Sequence, residues 1–126
     1  MKALDKVHEF HNAFGVNVED QPNIPSVERC ELRQNIIQEE VDELKAAWES
    51  GNIVEVADAL ADIHYVVMGT VLEFGLQDKY AEIFSEVHRS NMSKLDENGK
   101  PLYREDGKVI KSTLYTKPDI KKIINK

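Results

Sequence analysis

The sequence predicts an all-α protein, a four-helix-bundle-like domain followed by a short irregular tail. Apolar residues recur at spacings of three and four in four successive segments, which is the period of an amphipathic helix. Glycines stand where three of these segments end, at Gly15, Gly51 and Gly75. Because 41% of the 126 residues are hydrophobic, the chain can bury one modest core, and we expect a single domain over residues 1–126.

The first two predicted helices are separated by a loop. The first covers residues 2–14, and the loop covers residues 17–25, which include two prolines. Ser26 can cap the second helix, which continues until Gly51. The side chains expected to face the interior are Leu4, Val7, Phe10 or His11, and Phe14 on the first helix, and Leu32, Ile36, Ile37, Val41, Leu44, Ala47 and Trp48 on the second.

The third and fourth helices follow directly. Asn52 with Glu55 three residues later resembles a capping box and begins the third helix, which runs to Gly75. The fourth helix covers about residues 77–92. The side chains expected to face the interior are Val56, Leu60, Ile63, Val67, Val71 and Leu72 on the third helix, and Tyr80, Ile83, Phe84 and Val87 on the fourth.

Regular periodicity ends near Met92, so we expect a helical core over about residues 2–92 and a lysine-rich basic tail over residues 93–126. Asn98-Gly99 and Asp106-Gly107 are strong turn signals within this tail. The elements expected there are a small hairpin of residues 101–103 and 109–111 and a short terminal helix opened by Pro118.

Charge and composition exclude several classes of protein. The net charge of -7 repels phosphate backbones, so we expect no binding to polymeric nucleic acid. Cys30 is the single cysteine, and no basic region followed by an apolar run marks a signal peptide, so we expect a cytoplasmic protein. The nearly apolar residues 59–72 are interrupted by Asp62 and His64 and are shorter than the roughly 20 residues of a membrane span.

Two acidic segments fall within the predicted second and third helices. Because a helix turns about 100° per residue, Glu40 lies on the apolar face of the second helix rather than on its solvated side. Glu43 follows one turn later, at the edge of that face. Asp58 and Asp62 are four residues apart on the third helix, among small or apolar neighbours.

Carboxylates placed in this way point to a metal site. Removing one carboxylate from water costs several kcal/mol, and like charges repel one another unless cations or protons intervene. Mg²⁺ prefers hard oxygen ligands and keeps several waters, so a few carboxylates from two packed helices, together with substrate phosphates, satisfy it. The pattern therefore predicts a Mg²⁺ site suited to phosphoanhydride cleavage, with Mn²⁺ as a substitute.

An alternative treats the acids as surface residues. Glu39, Asp42 and Glu43 would then belong to a solvated helix face, and Glu55 would serve only as a cap. The protein would be a noncatalytic helical interaction module whose acids solubilise the helices or bind a basic partner. This alternative predicts no magnesium-dependent turnover.

The acidic pattern resembles the MazG-like branch of the all-α nucleoside triphosphate pyrophosphohydrolases, which carry E-E-x-x-E on one helix and E-x-x-D on the next. Glu39, Glu40 and Glu43 match the first half of this motif. The resemblance spans nearly the whole chain, and the other segments that carry it are His8-Glu9-Phe10-His11, residues 86–94, and Asp106-Gly107-Lys108 before Lys111.

The second half of the motif can be aligned in two registers. Residues 55–58, Glu-Val-Ala-Asp, fit the letters, whereas residues 62–65, Asp-Ile-His-Tyr, resemble the aspartate and apolar continuation of the superfamily. We favour the Asp62 register. In that register the family's glutamate falls on Ala59, and Asp58 is the acid that can replace it.

This resemblance implies hydrolysis of a nucleoside triphosphate to monophosphate and pyrophosphate by a homodimer or higher homo-oligomer. The substrate it implies is a small nucleotide, either a pyrimidine deoxynucleotide such as dUTP or a noncanonical nucleotide. The nearest rival is a phosphoribosyl-ATP pyrophosphohydrolase, which shares the fold and the Asp62-Ile63-His64-Tyr65 segment.

The resemblance also assigns roles to individual residues. For the lysines assigned to substrate binding, the alternative is a solvated surface role, and for the histidine it is a structural role. The implied roles are metal binding for Glu40, Glu43, Asp58 and Asp62, catalysis for Glu39 and Glu40, with Glu39 orienting or deprotonating the attacking water, and substrate binding for Asn91, Lys94, Lys111, Tyr65 and His11.

Overall fold

The computed structural model describes residues 2–126 and confirms the all-α class. Its elements are α1 (Lys2–Phe14), α2 (Val27–Glu49), α3 (Ile53–Glu73), α4 (Gln77–Met92), β1 (Leu102–Tyr103), β2 (Val109–Ile110) and α5 (Ile120–Ile124). Among residues 2–126, no helix is both long and apolar enough to cross a membrane. The chain divides into a first compact unit that ends at Asp78 and a second over Lys79–Lys126, and the single-domain organisation stays a prediction.

The helix ends follow the predicted capping residues. The Ser26 hydroxyl accepts a hydrogen bond from the Arg29 amide at 3.3 Å, and Asn52 Oδ1 accepts from the amides of Val54 and Glu55 at 3.0 and 3.2 Å. These bonds satisfy amides that have no partner within the helix. The glycines predicted to end the first three helices adopt left-handed φ angles of 71°, 70° and 69°, and they are Gly15, Gly51 and Gly75.

α3 is the central helix of the first unit, because both α1 and α2 pack against it. Apolar side chains from all three helices are removed from water at these contacts, which is the main favourable contribution to folding. The buried apolar residues of this unit are Leu4 and Val7 of α1, Ala47 of α2, and Ala59, Met68, Val71 and Leu72 of α3.

Part of the predicted apolar arc of α2 is not covered. Within this unit α2 packs mainly against α3, and its two buried residues are Arg33 and Ala47. One neighbouring helix covers only a narrow stripe of α2, so the prediction that the whole arc faces the interior is wrong. The side chains of α2 and α3 that were predicted to be interior and are exposed instead are Leu32, Val41, Trp48 and Leu60.

His11, rather than Phe10, is the interior residue of α1 at the position that the sequence leaves open. Phe10 is exposed, and so is Phe14, against the prediction. His11 Nδ1 lies 3.2 Å from the carbonyl oxygen of Asn17, and burial lowers the pKa of the imidazole. A buried imidazole with a lowered pKa favours the neutral form, which suits the interior of the unit.

A buried ion pair joins α2 to α3. Arg29 Nε donates to Glu73 Oε1 at 2.8 Å, and Arg33 Nη1 lies 3.1 Å from Glu73 Oε2. Arg33 also donates to Thr70 Oγ1 at 3.1 Å and to the Val66 carbonyl oxygen at 2.8 Å. Burial lowers the pKa of Arg33, and these acceptors compensate for the hydration that its guanidinium loses.

Replacing Gly69 with alanine is expected to lower the free energy of unfolding by about 1 to 3 kcal/mol. The added Cβ would lie 2.5 Å from Arg33 Nη2 and 2.9 Å from His11 Nε2, and the bonds of Arg33 to α3 hold it in place. Urea denaturation measures the effect. Alanine favours a helix by about 1 kcal/mol over glycine, so without the clash the variant would be more stable than the parent. A more stable variant would therefore contradict the prediction.

In the second unit, Ser90 is the buried residue of α4 and shows which face of this helix is covered. Its hydroxyl is buried and donates to the Thr116 carbonyl oxygen at 2.8 Å. Of the four residues predicted to face inward, two are half-buried and two are exposed, so the prediction is wrong for Phe84 and Val87. The tail segment that meets α4 lies along the Ser90 side, which helical period alone does not reveal.

The predicted tail elements are also present in the second unit. β1 and β2 pair antiparallel, with Leu102 opposite Ile110 and Tyr103 opposite Val109, which confirms the small hairpin. The predicted terminal helix is α5, which begins after Asp119 rather than at Pro118. The side chain of Asp119 accepts a hydrogen bond from the Lys122 amide at 3.2 Å and caps this helix.

Candidate metal centre

Helices α2 and α3 bring three carboxylates together. Glu40 and Glu43 are three residues apart on α2 and share one side of it, and Asp62 approaches them from α3. One carboxylate oxygen from each residue lies within 4.8 Å of the other two. This spacing allows a single cation to contact all three oxygens, which hard divalent cations prefer as ligands.

One oxygen of the Glu40 carboxylate is hidden from solvent. Its Oε2 atom is excluded from solvent and has no hydrogen-bond partner among residues 2–126. A carboxylate oxygen that loses water without gaining a partner is costly, and a bound cation is the usual way to compensate for that cost. The donor set and this unpartnered oxygen therefore fit a divalent metal ion.

The electrostatics of the cluster point the same way. Burial, followed by the neighbouring Glu43 carboxylate, raises the pKa of Glu40. Burial, followed by the charges of Asp58 and Glu43, raises the pKa of Asp62. Without a cation these two groups take up protons more readily than ordinary carboxylates, and a cation reverses that preference.

Glu40 and Asp62 are expected to contribute more to the stability of the metal-free protein as the pH falls from about 7 toward their ordinary pKa values of 4.5 and 3.8. His11 acts in the opposite direction over this range, because burial lowers its pKa, and this effect is shared by the parent and by Glu40→Gln. The pKa values of Glu40 and Asp62 are raised, so in this range these two carboxyl groups bind more protons in the folded chain than in the unfolded chain. Their contribution to stability is complete below the ordinary pKa values and is lost as the pH rises through the raised ones.

Thermal midpoints recorded across this pH range, in EDTA and in Mg²⁺, test this expectation. Bound Mg²⁺ removes the preference for protons, so a falling pH should raise the midpoint less, or lower it more, in Mg²⁺ than in EDTA. In EDTA, Glu40→Gln should differ from the parent in the same direction. Identical pH trends in EDTA and Mg²⁺ would contradict a cation site at this cluster.

A groove of about 290 Å³ adjoins the carboxylate cluster. Ala59 is almost fully buried in its wall, at the position where the resemblance places a glutamate. Asp58 is exposed and lines this groove together with Glu43 and Glu55, but it is not one of the three clustered carboxylates. The role of Asp58 as a metal ligand therefore stays a prediction.

Glu39 and Tyr65 lie beside the cluster and are accessible. Glu39 is exposed on α2, and its charge adds to the causes that raise the pKa of Glu40. Tyr65 is exposed on α3, one helical turn after Asp62. Their assignments to water activation and substrate binding stay predictions. His11, by contrast, is enclosed between α1 and α3, which favours its structural alternative.

The remaining predicted substrate residues belong to the second unit. The Asn91 carbonyl oxygen accepts a hydrogen bond from the Lys94 amide at 3.1 Å, and the Lys94 carbonyl oxygen accepts from Ser112 at 3.2 Å. Lys111 Nζ lies 4.6 Å from the centre of the Tyr115 ring, in a cation–π contact. Their contacts with a nucleotide stay predictions.

The sequence reasoning missed the buried Arg33 and Glu73. A signal for both exists, because Arg33 precedes Glu40 by seven residues and Glu73 follows Asp62 by eleven, spacings that keep residues on one side of a helix. The stripe that carries the acidic cluster thus continues into an ion pair of opposite charges.

Residues 7–91 match the family described as phosphoribosyl-ATP pyrophosphohydrolase. The chain belongs to this family. The family is part of the MazG-like all-α nucleoside triphosphate pyrophosphohydrolases, so the resemblance drawn from the acidic motif is confirmed. The span that matches the phosphoribosyl-ATP pyrophosphohydrolase family includes Glu40, Glu43 and Asp62 and leaves out the tail.

The chain is similar to a curated protein of Acanthamoeba polyphaga mimivirus, which is described as uncharacterized protein L479. The two sequences are 31% identical over 126 aligned residues, which cover 95% of this chain and 47% of the viral protein. The chain thus spans about half the length of the curated relative that it matches.

Proposed function

We propose that this protein hydrolyses a nucleoside triphosphate to a nucleoside monophosphate and pyrophosphate in the presence of Mg²⁺. The observation that carries the proposal is the cluster of Glu40, Glu43 and Asp62, in which a solvent-excluded carboxylate oxygen has no hydrogen-bond partner in the described part of the chain. Membership of a pyrophosphohydrolase family supports the reaction class.

In this proposal the three clustered carboxylates hold Mg²⁺, with Mn²⁺ as a substitute and Asp58 as a further ligand. Bound there, the cation neutralises phosphate oxygens and stabilises the charge that develops during cleavage. The carboxylates sit on two packed helices, so their positions are fixed before the substrate arrives.

Glu39 is proposed to orient or deprotonate the attacking water. It is exposed and neighbours Glu40 in sequence, so water can reach both its carboxylate and the edge of the cluster. The water oxygen forms a new bond to either the α or the β phosphorus while the bridging P–O bond between them breaks. Glu39 or solvent accepts the proton that the water loses, and the monophosphate and pyrophosphate leave. Asn91, Lys94, Lys111 and Tyr65 are the proposed substrate contacts.

The test follows phosphorus species by NMR while the full chain is incubated with Mg²⁺ and a panel of ribo- and deoxyribonucleoside triphosphates, including dUTP and noncanonical nucleotides. Pyrophosphate and monophosphate are expected, without orthophosphate. A chelator control should give neither product. If no nucleotide yields pyrophosphate above that control, the proposal fails and the noncatalytic helical module is favoured.

A second candidate is hydrolysis of phosphoribosyl-ATP, favoured by the description of the matched family. The same carboxylates and the same bond cleavage would serve it, so the metal cluster does not separate the two substrates. Adding phosphoribosyl-ATP to the panel does. A kcat/KM for this substrate well above that for every simple triphosphate would support the second candidate over the first.

We also propose a homodimer or higher homo-oligomer. Val41, Trp48 and Leu60 are large apolar side chains that are exposed on α2 and α3, and a second copy of the chain could cover them. Most oligomers of soluble proteins are symmetric homo-oligomers, and two-fold symmetric dimers are the commonest of them. Sedimentation velocity on the full chain measures the mass, and a monomer at micromolar concentration would contradict this proposal.

A further inference from the structure

Three aromatic rings of α1 and α3 contact one another yet remain open to solvent. Phe10 stacks on Phe14 with ring centres 4.4 Å apart and planes 27° apart, and it meets Tyr65 edge-on at 5.7 Å. The exposed fractions are 39% for Phe10, 71% for Phe14 and 40% for Tyr65. We call these three residues the aromatic shelf. Rings left in water are costly unless something covers them.

The aromatic shelf begins one helical turn from the carboxylate cluster. Asp58, Asp62 and Tyr65 are spaced by four and three residues on α3, so they lie along one stripe of that helix. At about 1.5 Å of rise per residue, the backbone of Tyr65 lies only about 4.5 Å along the axis from that of Asp62. A molecule with its phosphates at the cluster therefore has its other end within reach of these rings.

We propose that the aromatic shelf holds the nucleobase of the substrate by stacking, an inference that rests on the proposed function. Phe10 and Phe14 offer only ring faces and edges, and Tyr65 adds one hydroxyl, so the shelf reads the flat face of a base rather than its hydrogen-bonding edge. Recognition of this kind tolerates different bases, because every base has a flat face.

The shelf and the cluster divide recognition between them. The carboxylate cluster acts on the phosphates through a cation, whereas the rings act on the organic end of the same molecule. Loss of a ring should therefore weaken the binding of a nucleotide without changing the rate of the chemical step at phosphorus. Inorganic tripolyphosphate, which has no base, should not sense the change at all.

The experiment measures steady-state kinetics of the full chain in Mg²⁺, with inorganic tripolyphosphate as a competitive inhibitor. Tyr65→Ala and Phe10→Ala are expected to raise KM for a nucleoside triphosphate about tenfold, with little change in kcat or in the inhibition constant of tripolyphosphate. Tyr65→Phe should restore the KM, because the ring face is kept. Tyr103→Ala, which removes an exposed tyrosine of the hairpin, is the matched control.

The outcomes separate the shelf from the function on which it rests. A parent protein that releases no pyrophosphate overturns both proposals. A parent that turns over, with KM unchanged in Tyr65→Ala and Phe10→Ala, overturns the shelf alone. Equal losses for the nucleotide and for tripolyphosphate, or a changed oligomeric mass in place of a changed KM, also overturn it, because the rings would then support the fold or a second copy of the chain.

Discussion

Replacing Glu40 with glutamine is expected to lower kcat for pyrophosphate release by at least about a hundredfold. The substitution keeps the size of the side chain but removes the charge from the carboxylate whose Oε2 is excluded from solvent and has no hydrogen-bond partner within residues 2–126. Asp62→Asn should have a similar effect, because its carboxylate completes the cluster from α3. Initial rates at saturating Mg²⁺ and nucleotide measure both variants.

Two controls separate lost chemistry from a lost fold. Glu31→Gln removes a charge from the exposed surface of α2 outside the cluster, and its rate should equal that of the parent. The thermal midpoint of metal-free Glu40→Gln should equal or exceed that of the parent, because the substitution relieves repulsion with Glu43 and Asp62. Full activity in Glu40→Gln and Asp62→Asn would exclude the cluster as the catalytic centre.

Replacing Glu73 with alanine is expected to lower the free energy of unfolding by about 3 to 5 kcal/mol. Glu73 is 1% exposed and lies against Arg29 and Arg33, so its removal leaves the buried Arg33 guanidinium without its counter-charge. The cost comes mainly from that uncompensated charge rather than from the strength of the original pair. Urea denaturation followed by circular dichroism measures it.

The same explanation predicts a smaller loss when both buried charges are removed together. Glu73→Leu combined with Arg33→Met should be more stable than Glu73→Ala alone, because no buried charge is left unpaired. Glu31→Ala, an exposed glutamate of α2, should change stability by less than about 0.5 kcal/mol. A double variant less stable than Glu73→Ala would show that Arg33 stabilises the unit through its bonds to Thr70 and Val66 instead.

The helices and their ends were largely predictable from the sequence. The bounds of α1 and α4 agree with the prediction, and Ser26 and Asn52 cap the helices that they were expected to begin. These features depend on residues within one or two turns of each other, so local patterns determine them. The hairpin of the tail was predictable for the same reason, because Asp106-Gly107 forms its turn.

The acidic cluster was predictable to the level of helix faces. Helical period placed Glu40 among apolar neighbours and Glu43 at the edge, and the structure finds Glu40 half-buried and Glu43 exposed. Helical period does not distinguish between the two aspartates of α3, because two acids four residues apart share one helix face. The choice of Asp62 depends on the register in which the motif is aligned. The structure brings Asp62, not Asp58, into the cluster.

The sequence by itself determined where the four long helices begin and end and which side of α2 and α3 carries the acids, because both follow from contacts between near neighbours in the chain. Only the tertiary structure decided which side of each helix is covered. Arg33 and Glu73 are buried because α2 and α3 meet along their stripe, whereas Trp48 stays largely exposed because none of the described residues of the first unit covers it. Burial depends on residues distant in sequence, and hydrophobicity alone does not reveal their positions.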